Sequence, residues 1–188
     1  MARKKLIDLA VQVQPETFLY GACLFLLIPL QCVAALAMSV AVHEFGHLAA
    51  LRLLGIPINA IVVRPQGIQI RTPSIPPGKE LFCALAGPLG GLCLLLTARW
   101  FPLLALFALF HSLYNLLPLY PGDGGRILRN LCGFFMPHRW TDMISKVLGR
   151  TAGIALLAAG FYGTFALKLG LIPIILGMST AINAWKNK

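Results

Sequence analysis

Residues 41–50 read Ala-Val-His-Glu-Phe-Gly-His-Leu-Ala-Ala, so His43, Glu44 and His47 interrupt an otherwise apolar stretch. An ionisable group inside a membrane span costs a few kcal/mol unless it has a partner and a use, which makes three of them within five positions the strongest constraint in the chain. On an α-helix two histidines four residues apart stand one above the other, so both imidazoles can reach one cation. Glu44 lies about 100° round the same turn, placed to reach a water on that cation rather than the cation itself. Two nitrogen ligands, a general base and an open position for water are the parts of a zinc peptidase.

The surroundings are those of a polytopic membrane protein. Of the 188 residues 58% are hydrophobic and 12% charged, and the mean hydropathy is +0.79. Soluble domains carry about twice that share of charge. The length suits one domain, 1–188, without a folded soluble module. Arg3, Lys4 and Lys5 are not followed by a small-residue cleavage site, so no cleavable leader is expected. The formal charge of +10 comes from bases scattered between apolar segments. Topology explains it better than nucleic acid, which is not expected as a partner. The cysteines, Cys23, Cys32, Cys83, Cys93 and Cys132, form no Cys-x-x-Cys pair and read as small buried residues.

Residues 1–16 form a basic, then polar lead-in. The apolar run from Thr17 to Leu54 would be about 57 Å long as one helix, nearly twice a bilayer core, so a turn is expected near Pro29-Leu30-Gln31. Ile56 to Arg71 alternates loosely around Pro65-Gln66-Gly67 and predicts a β-hairpin. An all-α membrane fold follows, with about six spans (17–30, 31–54, 80–98, 103–120, 151–167 and 170–184) and that small hairpin beside the site. Residues 124–150 read as polar, basic and partly helical. With both termini cytoplasmic, 14 of the 16 bases fall on the inner side and only Arg99 and Lys168 outside, as the positive-inside rule requires. His47, five residues before Arg52, then lies about 8–13 Å inside the cytoplasmic boundary, at the depth of Asp123.

A zinc site needs a third protein ligand. Asp8, Glu16, Glu80, Asp142, His111 and His138 are available, but Asp123 has the right depth, and Gly122, Gly124 and Gly125 permit close backbone approach around it. His111 and His138 read as structural or interfacial. Gly87, Gly90 and Gly91 read as a helix-packing face rather than a site, and the basic run from Arg126 to Arg150 as facing anionic lipid or, alternatively, contacting a partner.

His43-Glu44-Phe45-Gly46-His47, taken with Asn115-Leu116-Leu117-Pro118-Leu119-Tyr120-Pro121-Gly122-Asp123-Gly124-Gly125, resembles the paired signature of the site-2 protease family of intramembrane zinc metalloproteases. Ala86-Gly87-Pro88 matches a weaker third element, and the hairpin before the third span looks most like the bacterial stage IV sporulation subgroup. The resemblance implies His43, His47 and Asp123 as ligands of one Zn²⁺ per chain, Glu44 as the catalytic base, and Asn115 as a group that helps hold the substrate or the oxyanion. Gly122 departs from the pattern, where a bulkier apolar residue is common.

The expected activity is hydrolysis of a peptide bond in a membrane-associated or single-span protein near the cytoplasmic face of a bacterial cell membrane. The lipid bilayer and a regulatory membrane partner are the other expected contacts. The competing class is a catalytically silent scaffold or a metal-handling membrane protein. A silent homologue is expected to lose Glu44 or a ligand, and a transporter to carry ionisable residues in its last spans; neither holds for this sequence.

Overall fold

In the computed structural model, which describes residues 10–64, 67–120, 122–168 and 170–186, the long apolar run from Thr17 to Leu54 divides where proline withholds a backbone donor. Helix α1 spans Pro15–Leu27 and α2 spans Leu30–Leu53, with Pro29 as the N-cap of α2. The end of α2 is a Schellman cap. Gly55 takes φ +66°, its N–H donates to the Arg52 carbonyl at 3.2 Å, and the Ile56 N–H donates to the Leu51 carbonyl at 2.9 Å. That cap turns the chain into strands β2 (Ala60–Arg64) and β3 (Gly67–Arg71), which pair antiparallel.

The hairpin is part of a larger sheet than the sequence predicts. The lead-in supplies β1 (Ala10–Val13), which pairs in parallel with β2, Ala10 opposite Ala60 and Val13 opposite Val63. The sheet order is β1-β2-β3, leaving β3 with an open edge. Beneath it Ala50, Leu51 and Cys83 form a buried cluster with Ile56, Ile58 and Ile70 packed against it.

The remaining elements are α3 (Pro77–Cys93), a 3-10 turn (Leu94–Thr97), α4 (Pro102–Leu116), α5 (Asp123–Phe135), α6 (His138–Phe165) and α7 (Ile172–Lys186). Residues 124–150 are thus helical almost throughout, and α6 runs unbroken from the polar segment into the expected fifth span. Gly149 and Gly153 lie inside it because the space beside them is taken: a Cβ on Gly149 would stand 3.1 Å from the Pro118 carbonyl, and one on Gly153 would stand 3.2 Å from Ala181 and Ala184.

Three described helices, Leu30–Leu53, Pro77–Thr97 and His138–Phe165, are long and apolar enough to cross a bilayer, which marks a membrane protein; Pro102–Leu116 and Pro173–Ile182 are apolar but shorter. At 13 residues, α1 reaches only about 20 Å. The buried-cysteine expectation needs correction, since Cys83 is buried but Cys93 is exposed and Cys32 and Cys132 are intermediate. The chain divides into two units, Met1–Ser112 and Leu113–Lys188, the boundary falling within α4.

Candidate metal centre

In the first unit, the buried face of α2 repeats at helical spacing through Ala35, Ser39, His43, His47 and Ala50. The matching face of α3 is Ala84, Gly87, Pro88 and Gly91. Small residues let the two backbones approach closely. A Cβ on Gly46 would strike the Ala86 carbonyl, and one on Gly90 would stand 3.4 Å from the Val42 carbonyl. The glycine cluster is therefore a packing face, as expected, but part of what it packs against is the site. A Cβ on Gly87 would collide with the His47 imidazole, and one on Gly91 would strike the Ser112 hydroxyl. Sequence reasoning missed this, because only the fold says which side chain fills the space a glycine leaves.

His43 is 2% exposed and His47 7%. The His47 Nδ1–H donates to the Cys83 carbonyl at 2.7 Å, since a carbonyl can only accept. That bond fixes the tautomer, so the neutral ring presents its Nε2 lone pair. His43 Nε2 lies 3.2 Å from that atom. Two nitrogens each about 2.0–2.1 Å from a tetrahedral zinc stand about 3.3–3.4 Å apart, so the pair has the separation zinc requires. Glu44, on the next position of α2, is half-buried.

His111 also lies here. Its ring meets that of His43 edge to face, centroids 4.8 Å apart, as His43 meets His47 at 4.8 Å. The three imidazoles form a run, a contact between α2 and α4 that spacing alone could not disclose. His138, in contrast, is an exposed side chain whose Nδ1 lies 2.9 Å from Asp142.

The second unit holds Asn115, half-buried near the end of α4, and Asp123 on the first turn of α5. An acidic residue there is favoured by the helix dipole. Asp123 is only 6% exposed, and Arg126 lies 3.7 Å from its carboxylate. The Asp-Gly-Gly sequence has a clear physical reason. A Cβ on Gly124 would strike the carbonyls of Leu116 and Leu117, and one on Gly125 would stand 2.5 Å from the Tyr120 nitrogen. The glycines let the first turn of α5 press onto the backbone that follows Asn115. Gly122, where the resemblance leads to the expectation of a bulkier apolar residue, has an extended backbone at the N-cap of α5.

No family model matches the sequence. The chain is 29% identical over 157 residues to a zinc metalloprotease of Methanocaldococcus jannaschii, a match covering 76% of this chain and 45% of that protein, so the chain spans less than half of that relative's length. A solved site-2 protease from the same organism superposes with a TM-score of 0.67 at 25% identity, over 94% of this chain and 89% of that one. The fold is similar to that of a site-2 protease. Both matches support the site-2 protease family.

Proposed function

We propose that the chain is an intramembrane zinc metalloprotease of the site-2 type. The observation that carries this reading is the convergence of two buried imidazole nitrogens beside a glutamate on an apolar, membrane-length helix. In this reading His43, His47 and Asp123, all buried, supply the two-nitrogen, one-carboxylate donor set of a catalytic zinc, one per chain. Zinc bound there would polarise a carbonyl and lower the pKa of water towards ~7. Glu44 takes the proton of the attacking water and passes it to the leaving amine. Asn115 holds the substrate or the oxyanion.

The substrate is a membrane-associated or single-span protein, cut near the cytoplasmic face in regulated intramembrane proteolysis by an enzyme of six spans with both termini cytoplasmic. A regulatory membrane partner belongs to the same reading. The hairpin before α3 supports the narrower stage IV sporulation subgroup.

A helix hides its peptide carbonyls in internal hydrogen bonds, so the cleaved segment must be extended, and bare backbone groups are costly near lipid. An exposed sheet edge supplies partners for them. The Val63 carbonyl accepts from the Gln14 N–H at 3.0 Å, so Val63 faces β1. Its antiparallel partner Ile68, and by alternation Ile70, therefore turn their N–H and C=O groups away from β2 to the open side. Ile68→Pro removes one outward donor without breaking the β2–β3 ladder. We expect cleavage to fall about three- to tenfold, the worth of roughly one backbone hydrogen bond, with zinc content unchanged. Unaltered turnover of a single-span substrate would reduce the sheet to a connector.

Gly87→Val tests the packing of the ligand helix. The added side chain must displace the His47 ring, so zinc affinity should fall by about 10–100-fold, as when a supporting group is lost. Gly133→Ala is the control, because nothing lies within 4 Å of its added Cβ. Competition with a chromogenic chelator measures both. Equal affinity in Gly87→Val and wild type would show that α3 does not position His47.

A further inference from the structure

The corner where α5 meets α6, within the second unit, is remote in sequence from every proposed ligand but Asp123. From Leu131 to Trp140 every residue is exposed except Cys132, which is half-buried. Phe135 is 84% exposed, Trp140 55% and Phe134 54%. On α6, next to Trp140, the exposed residues Arg139, Met143, Lys146 and Arg150 follow at spacings of four, three and four that place them on one face.

Charge around the corner is unbalanced. Residues 123–150 hold five bases (Arg126, Arg129, Arg139, Lys146 and Arg150) against Asp123 and Asp142. Asp142 pairs with Arg129 at 2.9 Å and with His138 at 2.9 Å, and Asp123 lies 3.7 Å from Arg126. Among the described residues that leaves Arg139, Lys146 and Arg150 without an acidic partner; Arg150 lies instead over the Trp185 ring, 5.7 Å from its centroid.

Helix length locates the corner. The 28 residues of α6 extend about 42 Å, against a hydrocarbon core of about 30 Å. The stretch beyond Arg150, 151–165, is free of charge and accounts for about 22 Å of it. Counted back from Phe165, a core of about 30 Å leaves about 12 Å of α6, residues 138–145, at the headgroup level, and the long side chains of Lys146 and Arg150 extend back to that layer. Tryptophan settles in that layer, phenylalanine on an exposed apolar helix face dips into its acyl side, and bases beside it are drawn to anionic lipid.

We propose that the α5–α6 corner binds anionic lipid, with Phe134, Phe135 and Trp140 seated among the headgroups and Arg139, Lys146 and Arg150 paired with lipid phosphates. This rests on the chain being a membrane protein but not on its being a protease. The bilayer, rather than a second protein, is the occupant because α6 itself ties the corner to it and because the uncompensated charge is of one sign.

The test uses the full chain with Trp100→Phe and Trp185→Phe, so that Trp140 reports alone. It is reconstituted in vesicles of phosphatidylcholine, with or without phosphatidylglycerol, carrying brominated chains on one lipid at a time. Brominated phosphatidylglycerol should quench Trp140 at least about twofold more than brominated phosphatidylcholine at equal mole fraction. Arg139→Gln/Lys146→Gln/Arg150→Gln should abolish that preference while zinc content stays at the wild-type level. Inorganic phosphate in millimolar excess should not compete, which separates lipid from a free-anion site. Equal quenching by both lipids, displacement by inorganic phosphate, or a Trp140 shielded from both bromolipid and aqueous acrylamide, as in a protein interface, would overturn the proposal. Glu44→Gln should leave the lipid preference intact, so failure of the protease reading would not mimic failure of this one.

Discussion

Glu44→Gln is expected to lower peptide-bond cleavage by about 10²–10⁴-fold, the usual worth of a positioned general base, while zinc content stays near that of the wild type. The two effects separate because Glu44 is not one of the proposed ligands. Glutamine keeps the length of the side chain and one acceptor oxygen but cannot take a proton at neutral pH. The neighbouring imidazoles should be undisturbed, since His47 is held by the Cys83 carbonyl and by contact with Gly87, neither of which involves residue 44. Metal analysis and cleavage of a single-span test substrate by the same preparation read both quantities. Wild-type turnover in Glu44→Gln would remove the base from the mechanism; zinc loss along with activity would make Glu44 a ligand instead.

Asp123→Ala is expected to weaken zinc binding by more than about 100-fold, because losing a ligand should cost more than losing a group that merely supports one. The change should be tolerated by the fold. Asp123 sits on the first turn of α5, where its helix-dipole contribution is typically below about 1 kcal/mol, and Gly124 and Gly125 keep their contacts with the preceding backbone. Asp142→Ala and Glu80→Ala are the controls. Asp142 already serves Arg129 and His138, and Glu80 occupies the first turn of α3, where a carboxylate is favoured by the dipole. Full zinc occupancy in Asp123→Ala would send the search to His111, whose ring already touches that of His43.

What could be read in the sequence was local. A His-Glu-x-x-His spacing depends only on helical periodicity, the division at Pro29 only on a missing N–H, and the hairpin only on an Ile/Val run around a turn. What escaped depends on contacts between distant segments. Ala10–Val13 is too short to declare itself as a strand and becomes one because β2 offers it an edge. The start of α6 was hidden because composition changes near Arg150 while the backbone continues unchanged. Gly87 could be read as a packing glycine, but nothing in the sequence names His47 as the group packed against it. Cys83 matters to His47 through its carbonyl, which every residue has. The six expected spans met another limit: α1 and α4, at 13 and 15 residues, are shorter than a straight crossing requires.

The central claim is that zinc held by His43, His47 and Asp123, with Glu44 as base, cleaves a membrane protein. The most direct test compares protein termini in membranes from cells producing the wild-type chain with those from cells producing Glu44→Gln at equal abundance and equal zinc content. The expected result is one or a few new termini, within or next to a membrane span, present with the wild type and absent with Glu44→Gln. Identical sets of termini in the two membranes, with both proteins zinc-loaded, would contradict the account.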